Sequence, residues 1–364
     1  MKRFFLIATA SVLLFGACSK NEVKTEDNLI GFGSYTGLST KANDTFVTNL
    51  VGKHFGVYAY ALKNTAFADG IATSTPGFMT NVDVNYDGPE CVNYSPLRYW
   101  PADNSNKLSF YGYYPYGDAK IIAIPDKATV GMGEYGFSAV TDPTQMTDFM
   151  VSDVAADQYY TKGDTEHNGV VNLNFHHLLC QVRVGAKMTL DVNDPSTVVK
   201  FYSVTFNNVN SKGTVALDAA KAIDSDWTST TPANYTISTE AKTMIEKNLA
   251  VPDDGTSKVS ETVLLTNTEA ENNGVFLMIP QTTPADATDA QKVTATIVYG
   301  YSTDGGVEVI DTITTSPFTL EWLINKVYTY IFNIDFSAAG GNRAIKFTAT
   351  VDNWDPNKDI IIGL

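Results

Sequence analysis

The sequence predicts an all-β protein made of two Greek-key β-sandwich domains in tandem. Almost every periodic segment alternates with period two, which is the strand signature, and long helical periodicity is absent. Gly, Pro, Asn and Asp punctuate these runs at short intervals, as turns require. Many short strands with turns between them make sandwiches, and 364 residues exceed one comfortable core, so two domains are the default.

The first 17 residues stand apart from the fold. "MKRFFLIATASVLLFGAC" opens on Lys2 and Arg3, continues with an apolar stretch from Phe4 to Phe15 and ends in small residues before Cys18. That is the layout of an export signal, and its apolar run is shorter than the ~20 residues a membrane-spanning helix needs. The ending "LFGAC" resembles the bacterial lipobox, in which the cysteine after the cut receives a diacylglycerol on its sulfur. A lipidated Cys18, acylated on its amine as well, carries several chains; one acyl chain anchors only marginally, at about 0.8 kcal/mol per buried CH₂. Residues 18–27 read as a polar tether.

From residue 28 the strand pattern begins. "NLIGFGSYTG" (28–37) places Ile30, Phe32 and Ser34 on one face, and Lys41 follows in "LSTKAN". "HFGVYAYAL" (54–62), "KLSFYGYYPY" (107–116) and "VVKFYSVTFNNV" (198–209) are rich in aromatic and β-branched residues. The turn signal in "MTLDVNDPST" predicts a domain boundary near 190, dividing the chain into 28–190 and 191–364. "STEAKTMIEKNLA" (238–250) is the one short segment that reads as helix. "KVTATIVYGYSTDGGVEVIDTITT" (292–315) reads as a hairpin turning at "TDGG". Tyr328, Tyr330, Phe332, Ile334 and Phe336 alternate in the next strand, and Ile345, Phe347, Ala349 and Val351 in the one after. The chain then closes on "KDIIIGL", an apolar tail on an acidic protein.

Charge and motifs exclude several function classes. With 25 Lys+Arg against 40 Asp+Glu the formal charge is −15, and loss of Lys2 and Arg3 with the signal makes it more negative still. Nucleic-acid binding needs basic patches, so it is not expected. "GMGEYG" (131–136) matches G-x-G-x-x-G but lacks the strand-to-helix setting that holds pyrophosphate, so it reads as a loop. His176 and His177 are adjacent, point to opposite faces of a strand and cannot share a metal ion; no metal site or cofactor is expected. No nucleophile elbow, P-loop or H-E-x-x-H occurs, and no catalytic residue is assigned. Cys91 and Cys180 have the choice of pairing in an oxidising compartment or serving as small buried hydrophobes. The inward position of Cys180 in its run favours the second.

Several stretches, in order along the chain, resemble the fimbrillin-like lipoproteins of Bacteroidota, the FimA-type and Mfa-like subunits of type V pili. They are "FGAC", "LIGFGSYTGLSTKAN", "FGVYAY", "FMTNVDV", "PLRYWP" before "LSFYGYYP", "DFMVSD", "LNFHHLLCQVRV", "FLMIPQ" and "INKVYTYIFNI" with "VDNW". The resemblance implies two transthyretin-like β-sandwich domains. It also implies a lipoprotein precursor at the outer membrane and, after processing, an extracellular fimbrium. A protease cutting after a basic residue would remove the lipid and the first strand, and the C-terminal strand of a neighbouring subunit would fill the groove left behind.

In this chain the implied cut falls between Lys41 and Ala42, releasing residues 18–41. The family usually has arginine there, and an uncut subunit would stay anchored with its own groove filled. The donor strand is expected at about 357–364, with Ile360, Ile361, Ile362 and Leu364 burying about 1.5–3 kcal/mol each as an upper bound. An internal edge strand, paired within its own domain, is the alternative for this tail. Expected partners are neighbouring pilus subunits, the outer membrane through Cys18, and host or bacterial surface glycans or proteins. Two other readings compete. One is a surface lipoprotein that captures glycans through exposed aromatics such as Tyr111 and Tyr113; the other is a hydrolase with acidic groups converging in a cleft.

Overall fold

The computed structural model of the chain describes residues 28–36, 50–142, 145–191, 197–244, 257–260, 262–264, 275–303, 305–336, 344–353 and 359–360. Strands dominate, and among the described residues α-helix amounts to one turn, α1 (Phe67–Gly70). Strand numbers follow chain order. The first sheet contains β1 (Gly31–Thr36), β2 (Lys53–Ala61), β3 (Met79–Tyr86), β4 (Leu108–Tyr114), β7 (Met150–Ser152), β8 (Ala155–Gln158) and β9 (Val170–His177). Its order is β1-β9-β7-β4-β2-β3, with β8 on β4.

The second sheet centres on β10 (Cys180–Asp191), which pairs in parallel with β20 (Lys326–Asp335) and antiparallel with the short β13 (Ser257–Val259), β14 (Val263–Leu264) and β15 (Phe276–Met278). Beyond β20 lie β21 (Ala344–Asn353) and β22 (Asp359–Ile360). The third sheet has the order β18 (Val309–Thr314), β17 (Thr294–Thr303), β11 (Thr197–Ala216), β6 (Glu134–Ser138), β5 (Ile121–Ala123), with β12 (Asp226–Met244) also on β11. A small ribbon joins β16 (Gln281–Thr282) to β19 (Glu321–Trp322).

The second and third sheets form a sandwich. Alternate residues of β10 and β20 (Val182, Val184, Tyr330, Phe332) meet alternate residues of β11 and β17 (Val204, Phe206, Ile297, Tyr299) in one core. The first sheet buries both faces. One face carries Phe55, Val57, Phe110, Leu173 and Phe175 together with Ile30 and Phe32 of β1. The other carries Tyr58, Tyr60, Tyr111 and Tyr113, packed on Tyr135 and Phe137 of β6 and on Leu277, Ile279 and Val327.

Sheet membership changes at Leu178 and Leu179, between β9 and β10 and upstream of the turn near 190, so β10 runs with the C-terminal strands. The two halves also share a sheet, because β6 pairs with β11 from Glu134↔Ala216 to Ser138↔Lys212.

The hairpin over 292–315 forms as β17 and β18. The helix expected over 238–250 does not: residues 238–244 belong to β12, whose ladder with β11 continues through Phe201↔Lys242 to Val199↔Met244. Long-range pairing there satisfies the backbone and overrides a weak local helix preference. The remainder of that segment lies outside the described residues.

Candidate functional site

The best-defined groove of the first sheet is the one β1 occupies. β1 lies parallel to β9, in the register Gly31↔Val170 to Thr36↔Phe175. Its opposite edge is held by a strap, residues 91–100. The Ile30 N–H donates to the Arg98 carbonyl (3.0 Å), the Phe32 N–H to the Cys91 carbonyl (2.8 Å), the Cys91 N–H to the Phe32 carbonyl (2.9 Å) and the Trp100 N–H to the Asn28 carbonyl (2.8 Å). Side chains add to this frame. The Tyr94 hydroxyl donates to the Ile30 carbonyl (2.8 Å), the Ser34 N–H donates to the Tyr86 hydroxyl (3.1 Å), and the Trp100 indole donates to the Gly169 carbonyl (3.1 Å).

The floor of the groove is apolar. Ile30 and Phe32 are fully buried, and the Phe32 ring meets Tyr94, Phe110 and Phe55 edge-on at centroid distances of 5.4, 6.1 and 6.5 Å. Burying two such side chains stabilises the seated strand by about 1.5–3 kcal/mol each. Burial pushes the Tyr94 phenol up to about 12 and raises the Cys91 thiol, which keeps both neutral. A slot of apolar side chains, neutral phenols and backbone groups on both edges is suited to hold one extended peptide by strand addition.

The residues proposed from sequence fall as follows. Ile30 and Phe32 share the buried face of β1 as expected, with Ser34 half-buried. Cys18, Lys41, Ala42, Ile361, Ile362 and Leu364 lie outside the described residues. The backbone of Ile360 pairs with Val351, and Asp359 with Asp352, at the outer edge of β21. Cys91 and Cys180 are both free and buried, in separate cores. His176 bonds Asp153 and His177 bonds Asp148, each at 2.8 Å, and no group of three metal-ligating side chains occurs among the described residues.

Tyr111 and Tyr113 are buried at 0% and 1% exposure, which removes them as surface sugar platforms. They lie in the core because β4 is covered on both faces, with all seven of its residues buried. "GMGEYG" leads into strand β6, not a helix, and the Gly131 and Met132 carbonyls accept hydrogen bonds from Tyr60 and Tyr111. Sequence reasoning missed the strap residues Cys91 and Tyr94. Their role depends on contact with residues about sixty positions away, and no local pattern marks it.

A profile of the fimbrillin-like family matches residues 40–354. The chain belongs to the fimbrillin-like family. Among solved structures it is similar to a fimbrial protein from Bacteroides vulgatus, with a TM-score of 0.63 and 19% identity over 90% of this chain and 99% of that one. It is also similar to a candidate cell adhesion protein from Bacteroides uniformis, with a TM-score of 0.45 and 15% identity over 90% and 97% of the two chains. A search of curated proteins finds no match. The first of these structures places the fimbrillin-like chain in a known β-sheet fold, and the family points to a surface-located, non-enzymatic protein.

Proposed function

We propose that the protein is a structural or adhesive subunit of a cell-surface fimbria that assembles by strand exchange. The precursor is exported as a lipoprotein on Cys18, reaches the outer membrane, and is cut between Lys41 and Ala42. The cut frees residues 18–41, β1 among them, and a segment near 357–364 of a neighbouring subunit takes the vacated groove. Such a contact joins different surfaces on the two partners, so it need not close and yields filaments.

The observation that carries this reading is the seating of β1. It is an edge strand, it fills the core with Ile30 and Phe32, and the chain that follows it carries the only basic residue between β1 and Leu50. The test uses lipid-free precursor carrying Lys358→Arg, so that the tail survives, treated with a lysine-specific protease and run unboiled on SDS gels. Ladders are expected, and they should vanish when residues 358–364 are deleted. Cut protein that stays monomeric under all conditions would overturn assembly by exchange. One specific observation favours a second role, an uncut anchor subunit: Lys41 stands where an arginine-specific protease needs arginine. Resistance of the precursor to arginine-specific cleavage, with its lipid retained, would favour that role.

A further inference from the structure

Beside the point where the chain crosses from the first sheet to the second lies a polar cleft of about 770 Å³ that shares no residue with the β1 groove. Three stretches remote in sequence line it: 223–229, leading into β12, 280–282, through β16, and 322–326, from β19 into β20. Two of them are tied to the crossing itself. The Trp227 indole donates to the Leu178 carbonyl (2.9 Å) and the Asn325 N–H to the Leu179 carbonyl (3.1 Å). Junctions of this kind are where small ligands are preferentially held.

The walls are fixed before any ligand arrives. Trp227 stands edge-on to Phe137 and Phe149, and Gly213 makes room for it. A Cβ added at Gly213 would lie 2.8 Å from the Thr228 carbonyl oxygen and 3.2 Å from the indole. The Gln281 side chain grips the Asn210 main chain, accepting from its N–H (3.0 Å) and donating to its carbonyl (3.3 Å). Asn210 Nδ2 donates in turn to the Ser229 hydroxyl (3.1 Å), and in the third stretch the Leu323 N–H donates to the Tyr328 hydroxyl (2.8 Å). Walls held this way lose little freedom on binding.

The side chains left exposed on these walls set the ligand class. Asp224, Asp226, Thr228 and Thr282 are exposed and polar, while Ile223 and Leu323 are aliphatic and exposed at 40% and 46%. Carboxylates and hydroxyls along a cleft match a ligand that donates and accepts at many points. The two aliphatic side chains match the C–H faces of a sugar ring. Asn325 adds an amide whose buried Oδ1 lacks a hydrogen-bond partner, and a turn of that amide offers the oxygen to an entering hydroxyl. Two carboxylates against one lysine in the lining, Lys326, on a chain of charge −15, disfavour an anionic ligand. A peptide fits less well. β12 already pairs with β11, so the run 226–229 offers a further strand only alternate residues. In the third stretch Trp322 pairs with β16, and the N–H groups of Leu323 and Asn325 are bonded.

We propose that this cleft binds a neutral saccharide, its hydroxyls bonded by Asp226 and Thr282 and its C–H faces laid against Ile223 and Leu323. The proposal deepens the adhesive part of the reading above and does not depend on strand exchange. The test therefore uses the uncut full chain carrying Cys18→Ser. Neutral oligosaccharides of glucose, galactose, mannose and N-acetylglucosamine, with trigalacturonate and tetra-alanine as contrasts, are offered to it and followed by saturation-transfer NMR. Asp226→Ala and Thr282→Trp are run beside it, with Leu323→Ser read in place of either variant that fails a thermal-unfolding check. The expected result is transfer to at least one neutral saccharide, with affinity lowered about tenfold or more in Asp226→Ala, the scale of a lost bond to a charged group, and abolished in Thr282→Trp. No transfer to any neutral saccharide would overturn the proposal. Equal or stronger transfer to trigalacturonate or to the peptide would overturn the ligand class, and binding that the variants retain would overturn the site.

Discussion

The outermost strands at two sheet edges, β1 and β22, are held in different ways. β1 is a core element: Ile30 and Phe32 are fully buried, a parallel ladder runs along one side, and the 91–100 strap bonds the other. Of β22 the described residues are Asp359 and Ile360, whose backbone pairs with β21. Both are outermost in their sheets, and β1 is bonded along both of its sides. In the strand-exchange proposal the first edge is the slot, and the segment around the second is the donor.

The largest effect that tests this contrast is on stability. Phe32→Ala in the uncut chain is expected to cost about 3–5 kcal/mol by chemical denaturation. Deleting residues 358–364 should cost no more than about 0.5 kcal/mol, the scale of surface changes. Equal losses from the two would erase the distinction between slot and donor.

Next in size is Asp153, just after β7, whose carboxylate links β9 of the first sheet to the segment at 222. Its carboxylate accepts from His176 (2.8 Å), the Ala222 N–H (2.9 Å) and Asn174 (3.2 Å). Burial works against its ionisation, yet these bonds together hold its pKa below the ordinary value of 3.8. Its contribution is therefore complete above that value and is lost as pH falls through the lower folded one. Asp153→Asn should cost about 1.5–3 kcal/mol near neutrality, the scale of hydrogen bonds to a charged group. It should also flatten the acid limb of a stability–pH profile; an unchanged acid limb would remove Asp153 as its source.

The smallest effect sharpens the role of the strap. Tyr94→Phe removes the bond to the Ile30 carbonyl and should cost about 0.5–1.5 kcal/mol. Burial raises the Tyr94 pKa from 10.0 to about 12, so its contribution is intact below pH 10 and lost as pH rises through 12. The variant should show a correspondingly shallower alkaline loss when unfolding is followed across that window.

Much of this was legible in the sequence where a strand buries one face. Tyr328, Tyr330, Phe332 and Ile334 alternate, and all four are buried; the "TDGG" hairpin forms between β17 and β18. Pairing partners were not legible. Nothing near "LIGFGSYT" announces that it will lie beside Val170, nor that Cys91 and Tyr94 will close over it. "LNFHHLLCQVRV" changes sheets at Leu178 and Leu179, between β9 and β10, and nothing in its local pattern marks the crossing. Tyr111 and Tyr113 deceived for a related reason: alternation predicts one wet face, and β4 has none. Of the β1 groove, the inward residues of β1 were readable and the strap was not.

The pairing of Gly31 with Val170 joins residues far apart in the chain, and it gives β1 an advantage distinct from fit. While attached, β1 meets the groove as part of the same molecule, at an effective concentration of about millimolar. A tail offered by another subunit at micromolar concentration competes at a disadvantage on the order of a thousandfold, even with equal contacts. Hydrolysis of one peptide bond abolishes that advantage without altering a single side chain of the groove. Timing of assembly would then be set by a covalent tether, and the geometry of the slot would only decide which sequence follows.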